Sequence, residues 1–310
     1  MFRIPTDHVK ILLATNGRII HRRSAPKNEV TDFSNTLKAI TITKHLLNLS
    51  GIWPLEIRDI LFISFIIYGC VYNILGLLDL IKYIKNSHYV IANLMENILL
   101  VMTMIKLLMI RIKYRALSRF LIETEIDYTN DNYENDEERL IFLKYNKFSY
   151  RYVVILFFLS TFLLLLYYFK SIVPNILMVM ANSTSEYKLP YKIQPLLKPY
   201  NARNYAFDCI HEFIRIIMVV SAYVGPDCLL GCTSFHLSGQ LAILKCRVKE
   251  ISKNNDGSRE RIRKIILRHQ HLIRLADILE DSFNIVISQH LFGITIQLCV
   301  SSYRMLSENV

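Results

Sequence analysis

The chain lacks an HExxH zinc helix, a GxSxG nucleophile turn and a glycine-rich nucleotide loop. With them go the residue sets that metal hydrolysis, acyl transfer and phosphoryl transfer commonly use. The imidazoles do not fill the gap, because His236, His269, His271 and His290 lie in helical stripes or an apolar run without paired metal-ligand spacing. No nucleophile, base and orienter can be read together, so neither an enzyme nor a cofactor is expected. Cysteine is too scattered for a disulfide framework. Cys70, Cys228, Cys232 and Cys299 fall in apolar runs, Cys246 in a basic segment, and only Cys209 near an expected outer face. Cys228 and Cys232 share a helix face, but no second ligand pair accompanies them, and helix packing is the reading taken. A cleavable signal peptide is also missing, since Asp7, His8, Lys10, Asn16 and Arg18 interrupt Met1 to Ile20, which leaves membrane insertion to the first apolar span. No long Pro-, Ser- or Gly-rich linker divides the chain, so residues 1–310 read as one domain.

What the sequence does have is length of apolar run. Five stretches, at about 60–78, 93–110, 153–173, 205–230 and 283–303, each approach the ~20 residues an α-helix needs to cross ~30 Å of hydrocarbon. In the fourth, the apolar part runs from Phe213 to Leu230. The expected fold class is therefore all-α, a polytopic transmembrane helix bundle with five spans.

Lysine and arginine fix the direction of threading. The leader before Trp53 holds 8, the next three loops hold 2, 8 and 4, and the fourth holds 9 from Lys245 through Arg268. Basic segments stay on the cytoplasmic side, so this alternation predicts a cytoplasmic N-terminus and places Val310 outside. The sequon Asn182-Ser183-Thr184 falls in the third loop, on the lumenal side, and makes Asn182 a candidate glycosylation site. Asn48-Leu49-Ser50 matches the same pattern on the cytoplasmic side, where it should stay unmodified. The net charge of +11 sits mainly in the cytoplasmic segments, which points to inner-leaflet membrane lipid as partner and away from nucleic acid.

Within the cytoplasmic leader, 1–56, the segment from Phe33 to Leu49 repeats apolar residues at helical spacing and predicts an amphipathic helix lying on or dipping into the inner leaflet, ended by Gly51-Ile52-Trp53-Pro54. Trp53, the single tryptophan, is expected as an interfacial anchor. The acidic cluster Asp127, Asp131, Glu134, Asp136, Glu137 and Glu138 lacks the glycine and alternating ligands of a calcium loop and is expected to be a solvated face. Residues 174–204, with Pro190, Pro195 and Pro199, read as a structured extracellular loop. Residues 235–282 read as cytoplasmic helical extensions of spans four and five, whose apolar stripes require partners.

Several local motifs in this order resemble the insect odorant receptor family, a seven-span family with a cytoplasmic N-terminus. They are Gly51-Ile52-Trp53-Pro54, the long third loop, His236-Leu237-Ser238-Gly239-Gln240-Leu241, and His269-Gln270-His271-Leu272-Ile273 leading to Leu279-Glu280 and Phe283. Family members carry two further spans, the seventh of which lines the ion pore. The chain ends just after its fifth, and looks like a C-terminally truncated member. The resemblance implies an odorant receptor in the cell membrane, multi-pass, in the dendrite of olfactory sensory neurons. A small-molecule odorant would bind in an outer intrahelical pocket. With a co-receptor subunit, as a hetero-tetramer, it would gate a cation channel. A gustatory-type chemoreceptor would share this topology. A transporter fragment would show internal repeats, and none is found between the two halves.

Charges inside the spans, Glu96, Lys106, Arg215 and Asp227, are costly in hydrocarbon and need partners. Glu212, three residues from Arg215, can supply one locally. By topology, the outer halves of the spans carry the ligand-pocket candidates Tyr72, Tyr89, Asn93, Phe162, Leu166, Phe169, Ile210, Ile214 and Ile217. They combine apolar and aromatic surface with few polar groups.

Overall fold

The computed structural model describes residues 36–128, 133–180, 202–253 and 258–308, and no strand occurs among them. The described residues form seven α-helices: α1 Lys38–Leu49, α2 Asp59–Lys82, α3 Ser87–Glu125, α4 Asp136–Met180, α5 Ala202–Val219, α6 Gly225–Lys253 and α7 Ser258–Glu308. Five helical segments are long and apolar enough to cross a membrane, one of them made by α5 and α6 together. In hydrocarbon the backbone must satisfy its own hydrogen bonds, and a helix does so without help from neighbours.

The helices outrun the membrane. α4 has 45 residues and α7 has 51, about 68 and 77 Å at 1.5 Å per residue, so more than half of each lies beyond ~30 Å of hydrocarbon. The extension expected for spans four and five is present, and spans two and three extend likewise: α3 continues to Glu125, and α4 begins at Asp136. Three acidic residues in the first turn of α4, Asp136, Glu137 and Glu138, complement the positive end of its helix dipole. At its other end α4 runs through Pro174 to Met180, so the first residues expected in the outer loop are helical. Residues 181–201, Asn182 among them, lie outside the described residues, and 202–204 open α5.

Beyond the expected inner membrane face, the ends of α3, α4, α6 and α7 form a second packed layer. Phe120, Leu237, Leu244, Leu272 and Leu275 close one small core there, and Tyr133, Phe142 and Ile243 another. Ion pairs fasten it. Arg268 Nη2 on α7 holds both carboxylate oxygens of Asp127 at 2.8 and 2.9 Å, His236 Nε2 on α6 lies 3.2 Å from Oδ2 of the same group, and Arg247 Nε meets Glu138 at 2.7 Å. Asp127 and Glu138 are buried, against the expectation of a solvated face, whereas Glu134, Asp136 and Glu137 are exposed as expected and Asp131 lies outside the described residues. Asp127 sits 17 residues past the second span, about 25 Å beyond it. Burial pushes its carboxyl up, but the His236 hydrogen bond and charge and the Arg268 guanidinium outweigh that and hold it below the usual carboxylate range.

The leader helix α1 does not rest on a surface. It is wedged into the bundle, with Ala39, Thr43 and Leu47 buried. Thr43 Oγ1 lies 3.5 Å from Cys232 Sγ of α6, and Asn146 Nδ2 of α4 donates to Thr36 O at 2.8 Å. Gly51, at φ 72°, turns the chain sharply back as only glycine does without strain. Trp53 follows that turn into the core at 1% exposure. It is therefore a packing residue and not an interfacial anchor, because the ring is enclosed by Leu47, Ile52 and the helices against which α1 is pressed.

Candidate functional site

Toward the expected outer end, α2, α3, α4 and α5 enclose a cavity of about 50 Å³. Its walls are Tyr72 and Gly76 from α2, Glu96, Asn97, Leu99 and Leu100 from α3, Leu164 from α4, and Arg215, Ile216 and Val219 from α5. Gly76 permits the closest approach: a Cβ there would sit 2.4 Å from Asn97 Oδ1. Asn93, one turn before Asn97, donates to Gly76 O at 3.1 Å and accepts from Asn97 Nδ2 at 2.6 Å. These bonds hold the amide of Asn97 against the cavity.

The polar wall carries both signs of charge. Glu96 accepts a hydrogen bond from Tyr167 at 2.7 Å. Arg215 Nε lies 3.0 Å from Glu212 Oε2, the local pair expected from their spacing, and its guanidinium carbon lies 5.3 Å from the centre of the Tyr72 ring. That contact is a cation–π interaction in a desolvated setting. The Tyr72 hydroxyl in turn reaches the ring of His211, which stacks on it, and Tyr68 packs against both. The remaining lining residues, Leu99, Leu100, Leu164, Ile216 and Val219, are apolar. A cavity that is mostly apolar with a few polar groups suits a small amphiphile.

The floor of the cavity opens onto an irregular turn. Val219 lines it, and Val220–Val224 follow as a π-helical turn between α5 and α6, a feature that recurs at functional sites. Lys106 of α3 inserts here with no exposed side-chain surface. Its ammonium donates to both oxygens of Asp227 at 2.8 and 2.6 Å and lies 3.6 Å from the centre of the Tyr223 ring. Tyr223 continues the contact to α7 through its hydroxyl, 3.1 Å from His290 Nδ1. Cavity, π turn, buried ion pair and α7 are thus contiguous.

Of the pocket candidates named from topology, Tyr72 lines the cavity. Asn93 is buried one turn above it, and Tyr89 lies higher still, donating to Asp79. Phe162, Leu166 and Phe169 on α4, and Ile210, Ile214 and Ile217 on α5, face outward with exposures between 46% and 62%. Their neighbours Leu164 and Ile216, two residues away and so nearly on the opposite helix face, take the inward positions. The signal that could have found the site was the charge: Glu96 and Arg215, both conspicuous in apolar spans, turn out to share one cavity.

The family model for "7tm Odorant receptor" matches residues 86–308. The chain is 24% identical over 128 residues to "Odorant receptor 13a" of Drosophila melanogaster, a match covering 38% of this chain and 30% of that protein. It therefore spans less than a third of that relative's length. The solved structure of the insect olfactory receptor OR5 from Machilis hrabei superposes with a TM-score of 0.66 at 14% identity, over 88% of this chain and 72% of that one. At that identity the likeness is one of fold.

Proposed function

From the premise that this chain belongs to the 7tm odorant receptor family, we propose that it is an odorant receptor subunit whose ligand site is the cavity between α2, α3, α4 and α5. The family is one of receptors rather than catalysts, and the five membrane-crossing helices suit a multi-pass membrane protein. A volatile or lipophilic odorant would enter from the outer end and bind among Leu100, Leu164, Ile216 and Val219, with its polar atom at Asn97, Glu96 or Arg215. Together with a co-receptor subunit in a hetero-tetramer in olfactory neurons, binding would bias a cation channel toward its open state. That requires tighter binding to the open than to the closed conformation.

The single observation that carries the reading is the position of Val219, which lines the cavity and immediately precedes the π turn beside Lys106 and Asp227. A ligand at that wall touches the element that connects to α7. The test is a pair of substitutions on one helix. Ile216→Trp fills the cavity and should shift the dose response by at least about five-fold, since a ligand beside the indole incurs an overpacking cost of about 1–3 kcal/mol. Ile214→Trp faces outward and should leave the response near wild type. Equal effects of the two would refute the site.

A further inference from the structure

We infer that the lower part of α3 holds the headgroup of an inner-leaflet phosphoinositide, with Arg115 and Arg119 as its phosphate partners. The site is separate from the odorant cavity, and its test does not depend on that cavity.

Within the span, one face of α3 is covered by α2. Asn97 lies against Gly76, Met104 against Gly69, and Arg111 Nη2 donates to Asp59 Oδ1 at 2.8 Å. These three α3 positions are seven residues, about two helical turns, apart and so share one face. α2 starts at Asp59, and below that ion pair the face loses its cover. Arg115 and Arg119 follow Arg111 there, about one and two turns further on, and both are exposed. Carboxylates on the surrounding segments are already engaged: Asp59 by Arg111, Glu56 by Arg58, Asp281 by Lys113 and Glu123 by Arg274. Arg115 is left with the Tyr114 hydroxyl, to which its Nε donates at 3.0 Å, and Arg119 makes no ion pair among the described residues. The surplus of positive charge registers on Tyr114, whose phenol is held below its usual pKa by the hydrogen bond from Arg115 and by the charges of Arg115 and Arg111.

Depth selects the anion. α2 and α3 meet the expected inner edge of the hydrocarbon together at the Asp59–Arg111 pair, on the side that the basic loops make cytoplasmic. At 1.5 Å per residue, Arg115 lies about 6 Å below that edge and Arg119 about 12 Å. The headgroup layer of one leaflet is only about 5–8 Å thick. The carboxylate and phosphodiester of phosphatidylserine can therefore meet Arg115 but stop short of Arg119. A phosphorylated inositol ring stands out beyond the phosphodiester and can meet both. Each guanidinium presents a planar fork of donors that matches phosphate oxygens, and the anionic inner leaflet attracts basic side chains at this level.

Native mass spectrometry of the detergent-purified chain should measure adducts of phosphatidylinositol bisphosphate, phosphatidylserine and phosphatidylcholine, with free inositol trisphosphate as the soluble counterpart. The bisphosphate lipid is expected to bind at least about ten-fold more tightly than phosphatidylserine or the free headgroup. Arg119→Gln should remove that preference and leave phosphatidylserine binding as it was, whereas Arg115→Gln should weaken both lipids. Arg119→Lys keeps the charge and should retain most of the preference, which separates loss of the contact from a folding defect in Arg119→Gln. Lys144→Gln/Lys147→Gln removes two exposed charges from α4 on the same side of the membrane and should leave the preference intact. Equal binding of the two anionic lipids, or equal loss of both in Arg119→Gln, would overturn the inference. The same loss in the α4 pair would overturn it by reducing the effect to net charge. Free inositol trisphosphate binding as tightly as the lipid would assign the arginines to a soluble polyphosphate instead.

Discussion

Replacing Lys106 with methionine tests the buried ion pair that joins α3 to the start of α6. The Lys106 side chain is wholly enclosed, and its ammonium meets Asp227 at 2.6 Å and the Tyr223 ring at 3.6 Å. The ammonium turns inward to these partners and not toward the interface, unlike lysines that snorkel near helix ends. Lys106→Met would strand the Asp227 carboxylate, whose side chain is 20% exposed, in an apolar setting. Breaking a buried pair by removing one partner costs about 3–5 kcal/mol. Asp227→Leu should cost a similar amount by stranding the ammonium, eased by the Tyr223 carbonyl 3.4 Å away. The double variant Lys106→Met/Asp227→Leu removes both charges and should return to within about 1 kcal/mol of the native protein, since an apolar replacement of a buried pair is often neutral. Unfolding in mixed detergent micelles, followed by loss of the monodisperse chromatographic peak, measures all four proteins. Strictly additive losses in the double variant would show that the two charges do not depend on each other, and would refute the reasoning.

Three further outcomes follow from other parts of the structure. Deleting Ala222 from the π turn should convert Val220–Val224 to regular helix and keep the facing of α6. Deleting Leu237 from regular helix should rotate all that follows by about 100°; surface expression lost equally in both would count against the π turn as a one-residue insertion. The lowered carboxyl of Asp127 contributes stability above its unfolded pKa of ~3.9, and that contribution disappears as pH falls through the lower folded value. Melting curves should therefore decline below about pH 4, and Asp127→Asn should flatten that decline while lowering stability near neutrality; a parallel decline in both proteins would exclude Asp127 as its source. Asn182→Gln should abolish the mass shift on glycosidase treatment whereas Asn48→Gln should not, and the reverse result would invert the proposed threading.

The sequence by itself determined that the chain is helical, how many segments can cross a membrane, and that apolar stripes continue beyond spans four and five. Each is a property of composition along a single helix: run length against bilayer thickness, and period against helical pitch. It also exposed Glu96, Lys106, Arg215 and Asp227 as charges in need of partners, and it paired Glu212 with Arg215 because they are three residues apart. Only the tertiary structure decided that Lys106 meets Asp227, 121 residues away, and that Asp127 meets Arg268, 141 residues away. It alone turned Ile216 inward and Ile214 outward, and drew Trp53 into the core behind Gly51. The reason is the solvent. In water an apolar stripe marks the buried face of a helix, but lipid is as apolar as a protein interior, so the sequence of a spanning helix carries little record of which face meets its neighbours. That choice is made by packing, by the few polar groups that must find one another, and by the glycines that let two backbones approach.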